Sequence, residues 1–212
     1  MTLTTLYLVR HGKTAWNAQK RWQGHMDIPL EESGIQQAQQ LAEYLRPKPL
    51  AAVYSSDLQR ARLTADIIAK PHGLRVQQDI RWREMHVGIL QGLTHDEIVT
   101  HHAHEFQQLD ENWFEHEVQG GESRRQMQVR ISAALHEMQT QTDGSALVVS
   151  HGGTIRVLLR TLFPDDPDAQ HKPIENTSLT TLRLTSMGWE LVGLSETPHL
   201  QPHITEGDQE AQ

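Results

Sequence analysis

Apolar residues recur along this chain in two rhythms. Unbroken runs such as Leu6-Tyr7-Leu8-Val9 and Leu147-Val148-Val149 fit strands buried on both faces, while apolar positions three and four apart fit helices with one buried face. The first rhythm predicts strands over residues 5–9, 51–54, 75–78 and 146–149. The second predicts a helix over 33–45, capped by Ser33 and stopped before Pro47, and another over 57–70 whose first turn carries Arg60. A helical region follows over 94–115. Over 122–140, Met127, Ile131, Ala134, Leu135 and Met138 share one face, and a last helix over 154–163 ends before Pro164. Two alternating segments, 178–184 and 189–195, joined across 185–188, read as a terminal hairpin. Strands that alternate with helices predict an α/β protein, a three-layer α/β/α sandwich whose mostly parallel sheet is made mixed by that hairpin.

Both unbroken runs end on the same chemistry. Arg10-His11-Gly12 follows the first, and Ser150-His151-Gly152-Gly153 follows the second. Open α/β sheets bind ligands at the carboxyl ends of their strands, so the two pairs predict one site with two histidines. A phosphoryl group suits such a site. Guanidinium grips phosphate oxygens as a fork, imidazole attacks phosphorus or donates to it, and glycine lets the backbone come close. The amides of Gly152 and Gly153, opening a helix, are either further donors or simply parts of a tight turn.

Composition narrows the choice. The 212 residues suffice for one α/β domain with a large core, followed by a short polar, acidic tail over 205–212. A formal net charge of −8 argues against nucleic acid or an anionic membrane as partner, so any anion site has to be local. The absence of cysteine excludes disulfides and thiolate metal sites. His101, His102 and His104 do not share a helical face and no carboxylate completes a pattern with them, so no metal is expected. The first residues lack the basic region and apolar stretch of a secretory signal, and no window approaches a membrane span; a cytoplasmic address is the expectation.

Asn17, Arg60 in Ser56-Asp57-Leu58-Gln59-Arg60-Ala61, and Glu84 in Arg83-Glu84-Met85-His86 complete an ordered series: Arg-His-Gly, Asn, Ser-Asp-Leu-x-Arg-Ala, Glu, His-Gly-Gly. With that series the chain resembles the histidine phosphatase superfamily, also called phosphoglycerate mutase-like, from about Leu6 to about Leu200. The resemblance implies the phosphoglycerate mutase-like fold in a single domain over 1–204, chemistry through a phosphohistidine, and no cofactor. His11 is then the nucleophile, and Arg10, Arg60 and His151 form the rest of the phosphate pocket, His151 as a charged donor. Asn17 and Gly152 are further phosphate contacts, although Asn17 also fits as a helix or turn residue. Glu84 would protonate the leaving oxygen and then deprotonate the attacking water. A dianionic phosphoryl group does need several fixed positive donors, and imidazole is a good nucleophile at neutral pH.

Hydrolysis or phosphoryl return is the main fork. The cofactor-dependent mutases of the family carry Glu-Arg-His-Tyr-Gly where this chain has Glu84-Met85-His86-Val87-Gly88, which favours a phosphatase similar to the short bacterial enzymes of broad specificity. A mutase, or a catalytically weak module that binds a phosphorylated ligand, is the alternative. The expected partner is a small phosphorylated substrate, under a helical lid at about 94–119 with Trp113, Phe114, His102 and Phe106 as candidate liners. Lys13 departs from the family by adding a cation beside the pocket, directed either to solvent or to the substrate. The apolar residues of 154–163 serve either the core or a homodimer.

Overall fold

Side chains alternate across β1 (Leu3–Arg10): Leu6 and Leu8 enter one apolar cluster and Val9 the other. The computed structural model describes residues 2–200; Met1 and the expected tail over 205–212 lie outside the described residues. With β2 (Ala52–Ser55), β3 (Val76–Gln78), β4 (Gly144–Ser150), β5 (Leu179–Thr185) and β6 (Gly188–Glu196), β1 forms a sheet in the order β3-β2-β4-β1-β5-β6. Pairings among β1 to β4 are parallel, whereas β5 joins β1 antiparallel and carries the β6 hairpin. This is the mixed sheet expected from the sequence.

Each face is sealed by helices. Val9, Val53, Leu147 and Val149 pack against α2 (Glu32–Leu45) and α3 (Gln59–Ala69), through Leu41, Leu45, Ala61, Ala65 and Ile68. Leu6, Leu8, Ala146 and Val148 pack against α6 (Arg124–Gln141) and α7 (Gly152–Leu162). The five-residue stripe expected on α6 is buried in full. Ile155, Val157, Leu158 and Leu159 of α7 are core as well, so they are not available as a dimer face. No helix among the described residues is long and apolar enough to cross a membrane.

Several boundaries move for local reasons. Ser33 does not cap α2; Glu31 takes that position, and the Ser33 hydroxyl donates to the Glu31 carboxylate at 2.7 Å. The α6 cap is Ser123, in a capping box with Gln126, and α7 begins at Gly152. The region over 94–115 breaks at His102 into α4 (His95–His101) and α5 (Ala103–Glu111), α4 being capped by Thr94 with Glu97. Two short helices, α1 (Ala15–Ala18) and α8 (Pro167–His171), lack a sequence rhythm long enough to read.

The missing side chain of Gly12 serves the packing of the fold. A Cβ there would strike the Gly34 carbonyl oxygen, and a Cβ on Gly34 would strike the Lys13 carbonyl oxygen. Two bare backbones therefore meet where the loop after β1 crosses the first turn of α2, and Glu31 N–H donates to the Lys13 carbonyl at 3.0 Å beside them. Since this overlap is backbone against backbone, Gly34→Ala is expected to cost about 1–3 kcal/mol in urea denaturation. An unchanged denaturation midpoint would refute the contact.

Candidate active site

Strand register builds the site. In the parallel pair of β1 and β4, Arg10 lies opposite Ser150, so the next residue on each strand is a histidine. His11 N–H donates to the Ser150 carbonyl at 3.0 Å, and the two imidazole centroids are 5.2 Å apart at 60°. His11 is 3% exposed and His151 is fully buried.

Hydrogen bonds assign the tautomers. The Gly12 carbonyl lies 2.7 Å from His11 Nδ1 and can only accept, so Nδ1 carries the proton and Nε2 keeps its lone pair. His151 is the opposite: Arg60 Nε donates to its Nδ1 at 3.3 Å, placing the proton on Nε2, which is buried without a partner. Burial first, then Arg60 and Arg10, hold His11 well below the ordinary histidine value. Burial first, then Arg60 and His11, do the same to His151. Without an anion in the pocket this disfavours the charged His151 expected from the sequence and leaves Nε2 an N–H donor, because a third cation is unfavourable between two arginines in a dry pocket.

The arginines are braced through the backbone. Arg60, fully buried at the first turn of α3, donates through Nη1 to the Met26 carbonyl at 2.7 Å and through Nη2 to that of Gly24 at 2.9 Å. Burial pulls its guanidinium down to about 10, which leaves it charged at neutral pH. Arg10 Nη1 donates to the Ile174 carbonyl at 2.6 Å, and its Nε is buried without a partner. Gly152 is not part of the cavity wall; it packs against the Arg10 guanidinium, where a Cβ would sit 3.5 Å from Nε. Asn17 is the helix-cap residue of one reading, its Oδ1 accepting from Thr14 N–H and hydroxyl, each at 3.0 Å, and the residue also lines the cavity. That turns its Nδ2 donor away from the cap. Lys13 instead pairs with Glu31 at 3.2 Å.

Glu84 is held from three sides. Its Oε1 accepts from Met85 N–H at 2.9 Å and its Oε2 from Gly153 N–H at 3.0 Å. A side chain on Gly153 would overlap the carboxylate. Gly153 N–H therefore orients the Glu84 carboxylate and is not free for phosphate. Behind it, Arg130 of α6 donates to the carbonyls of Arg81, Arg83 and Glu84 at 2.6, 2.8 and 3.0 Å, and Glu122 anchors Arg130 at 2.6 Å. His25 Nε2 also donates to the Glu84 carbonyl at 2.7 Å. Neither Arg130 nor His25 is legible as functional in the sequence, since both act on main-chain oxygen.

Most of these groups open into a cavity of about 330 Å³, while His151, fully buried, is not on its wall. Arg10, His11, Asn17, Arg60 and Glu84 line it, with Gln23, Met85, Val87, Met127 and Trp113. Of the four candidate lid residues only Trp113 reaches it: Phe106 packs on the core, Phe114 faces a neighbouring cleft, and His102 closes α4. Sequence reasoning missed four arginines on the wall, Arg21, Arg124, Arg156 and Arg160. Gly152, Arg156 and Arg160 follow at four-residue spacing on α7, which was the available signal.

A family model described as the histidine phosphatase superfamily, branch 1, matches residues 6–197. Phosphoglycerate mutase-like protein 4 of Arabidopsis thaliana is 36% identical over 201 residues, covering 92% of this chain and 86% of that protein. The crystal structure of a putative α-ribazole-5′-phosphate phosphatase from Escherichia coli matches with a TM-score of 0.83 and 25% identity, over 92% of this chain and 98% of the other. Mycobacterial glucosyl-3-phosphoglycerate phosphatase matches with a TM-score of 0.76 and 31% identity, over 90% and 98%.

Nitrogen NMR of the phosphate-free protein at pH 6.5, where a free imidazole is about half charged, is expected to find both rings neutral, His11 protonated at Nδ1 and His151 at Nε2. A charged His151 at that pH would overturn the assignment. The linked stability follows in sign. Both folded values lie below the free value, so the unfolded chain binds protons first as pH drops. This contribution is complete above about pH 6.5 and is lost as pH falls toward the folded values, lowering the thermal midpoint.

Proposed function

The chain belongs to the histidine phosphatase superfamily, and on that premise we propose that it is a phosphomonoester hydrolase working through phospho-His11 on small phosphorylated metabolites, without a metal. One observation carries the reading: Gly12 fixes the His11 tautomer so that a neutral Nε2 lone pair meets a cavity also lined by Arg10, Arg60 and Glu84. In the first step Nε2 attacks phosphorus, the bond from phosphorus to the ester oxygen breaks, and protonated Glu84 gives its proton to the leaving alkoxide. Phosphorylation at Nε2 makes the ring cationic while Nδ1 keeps its proton, and the Gly12 carbonyl, already aligned, stabilises that charge.

Arg10, Arg60 and Asn17 Nδ2 are the donors for the equatorial oxygens from the cavity wall, and the partnerless Nε2–H of His151, buried beside His11, is a fourth, with charge developing among groups already oriented and desolvated. In the second step Glu84, now ionised, takes a proton from water. The hydroxyl attacks phosphorus, the bond to His11 breaks, and phosphate leaves with Nδ1–H unchanged. Both steps need a carboxylate of fixed direction, which the amides of Met85 and Gly153 supply.

A second reading, phosphoryl return as in a mutase, is favoured by the surplus of arginines on the wall. Met85 and Val87, apolar where the mutase motif has Arg and Tyr, weigh toward hydrolysis.

Phosphate release from p-nitrophenyl phosphate and 3-phosphoglycerate, measured with a chelator present, is expected in the native chain and absent in His11→Ala. Isomerisation of phosphoglycerate without release would select the mutase, and tight binding without either would select a binding module. Glu84→Gln is expected to lose about 10²- to 10⁴-fold in turnover while still binding phosphate; near-normal turnover would remove it from the acid role. Gly153→Ala, which displaces that carboxylate, is expected to lose at least about tenfold in kcat, with phosphate affinity retained. A wild-type kcat would show that the acid does not depend on this contact.

A further inference from the structure

The arginines of this protein fall into distinct groups. Arg21, Arg46, Arg81, Arg83, Arg125, Arg130 and Arg183 each pair with a carboxylate. Arg62 and Arg75 are exposed. Arg10, Arg60, Arg124, Arg156 and Arg160 are buried or half-buried, appear in no ion pair among the described residues, and all line the same cavity. Two of these, Arg10 and Arg60, belong to the phosphoryl pocket. The other three are left over.

Their positions define a second subsite. Arg156 and Arg160 stand four and eight residues beyond Gly152 on α7, roughly 6 and 12 Å along the helix axis from the phosphoryl end. Arg124 and Arg160 both lie over the Trp113 ring, 4.6 and 4.2 Å from its centroid. Burial first and then Arg160 pull the Arg124 guanidinium down to about 10, still charged at neutral pH. Arg156 keeps Nη1 buried without a partner while Nη2 donates to the Lys172 carbonyl. Like charges gathered in partly dry surroundings are unfavourable unless an anion joins them.

We infer that the substrate is a phosphomonoester bearing a second anionic group, carboxylate or phosphate, which Arg124, Arg156 and Arg160 hold against Trp113. The inference rests on the phosphomonoester reading of the inner pocket and adds the rest of the substrate to it. The chain's net charge of −8 makes the contrast functional: a protein that repels anions in general admits one whose two charges match two separated arginine groups.

Matched ligands test this in the His11→Ala protein, which binds without turnover. Calorimetry compares 3-phosphoglycerate with glycerol 3-phosphate, which replaces the carboxylate by a hydroxymethyl group, and glucose 1,6-bisphosphate with glucose 6-phosphate. At least one doubly anionic ligand is expected to bind about tenfold or more tightly than its singly anionic partner, and the pair that shows it identifies the second group as carboxylate or phosphate. Added Arg156→Gln or Arg160→Gln is expected to reduce that preference about tenfold, in proteins whose circular dichroism and melting match the parent. A preference below threefold in both pairs, a preference that survives both substitutions, or no binding of any of the four ligands overturns the inference. Failure of the phosphatase reading looks different: the native chain releases no phosphate while the binding preference persists.

Discussion

The in-register parallel pairing of β1 with β4 is the constraint on which the rest of the site depends. Because Arg10 lies opposite Ser150, two histidines far apart in sequence become neighbours with no loop to position them. A one-residue slip would reverse which face each strand residue occupies, sending Leu6, Leu8 and Val9 to the wrong helices. The apolar core that fixes register thus fixes the histidine pair too.

Desolvation then sorts the charges. The same dry pocket that lowers both histidines lowers Arg10 and Arg60, yet the outcomes differ because the starting values do. Imidazole begins near neutrality, so the same push favours its neutral form, whereas guanidinium begins about six units higher and Arg60, pulled down to about 10, stays charged at neutral pH. A neutral imidazole and charged guanidinium groups therefore coexist without a switch between them, as the proposed nucleophile and clamp require. Main-chain oxygens complete the design, since the carbonyls of Gly12, Gly24, Met26 and Ile174 orient these groups without adding a full negative charge.

Much of this was legible because it is local. The runs before His11 and His151, the α6 stripe, and the terminal hairpin are periodic patterns that survive without knowledge of the fold. His11, Arg60, Asn17 and Glu84 could be named from the ordered motif series, and the structure brings them to one cavity. What escaped depends on partners distant in sequence. Arg130 and His25 touch backbone carbonyls on another segment, which leave no trace in side-chain spelling. Arg156 and Arg160 sit in a helix whose apolar residues dominate its reading, and only the packing of α7 shows which face the cations occupy. Phe114 was misplaced for the same reason: its ring stacks beside that of Trp113 at 6.0 Å, yet only Trp113 reaches the cavity and Phe114 stays in the neighbouring cleft.

The loop before β5 closes the inner pocket from the far end of the chain. Ile174 receives Arg10, Asn176 Nδ2 donates to the His11 carbonyl at 2.9 Å, and Thr177, at a left-handed φ of 54°, donates its N–H to the Arg10 carbonyl at 2.9 Å. A ribosome making this protein therefore releases His11 well before its brace, 164 residues after Arg10 in the case of Ile174. During most of synthesis the emerging polypeptide carries His11 with neither its opposite histidine nor the carbonyl that anchors Arg10. On the function proposed above, reactivity arrives only with this loop, so a product cut short before it is an unarmed one.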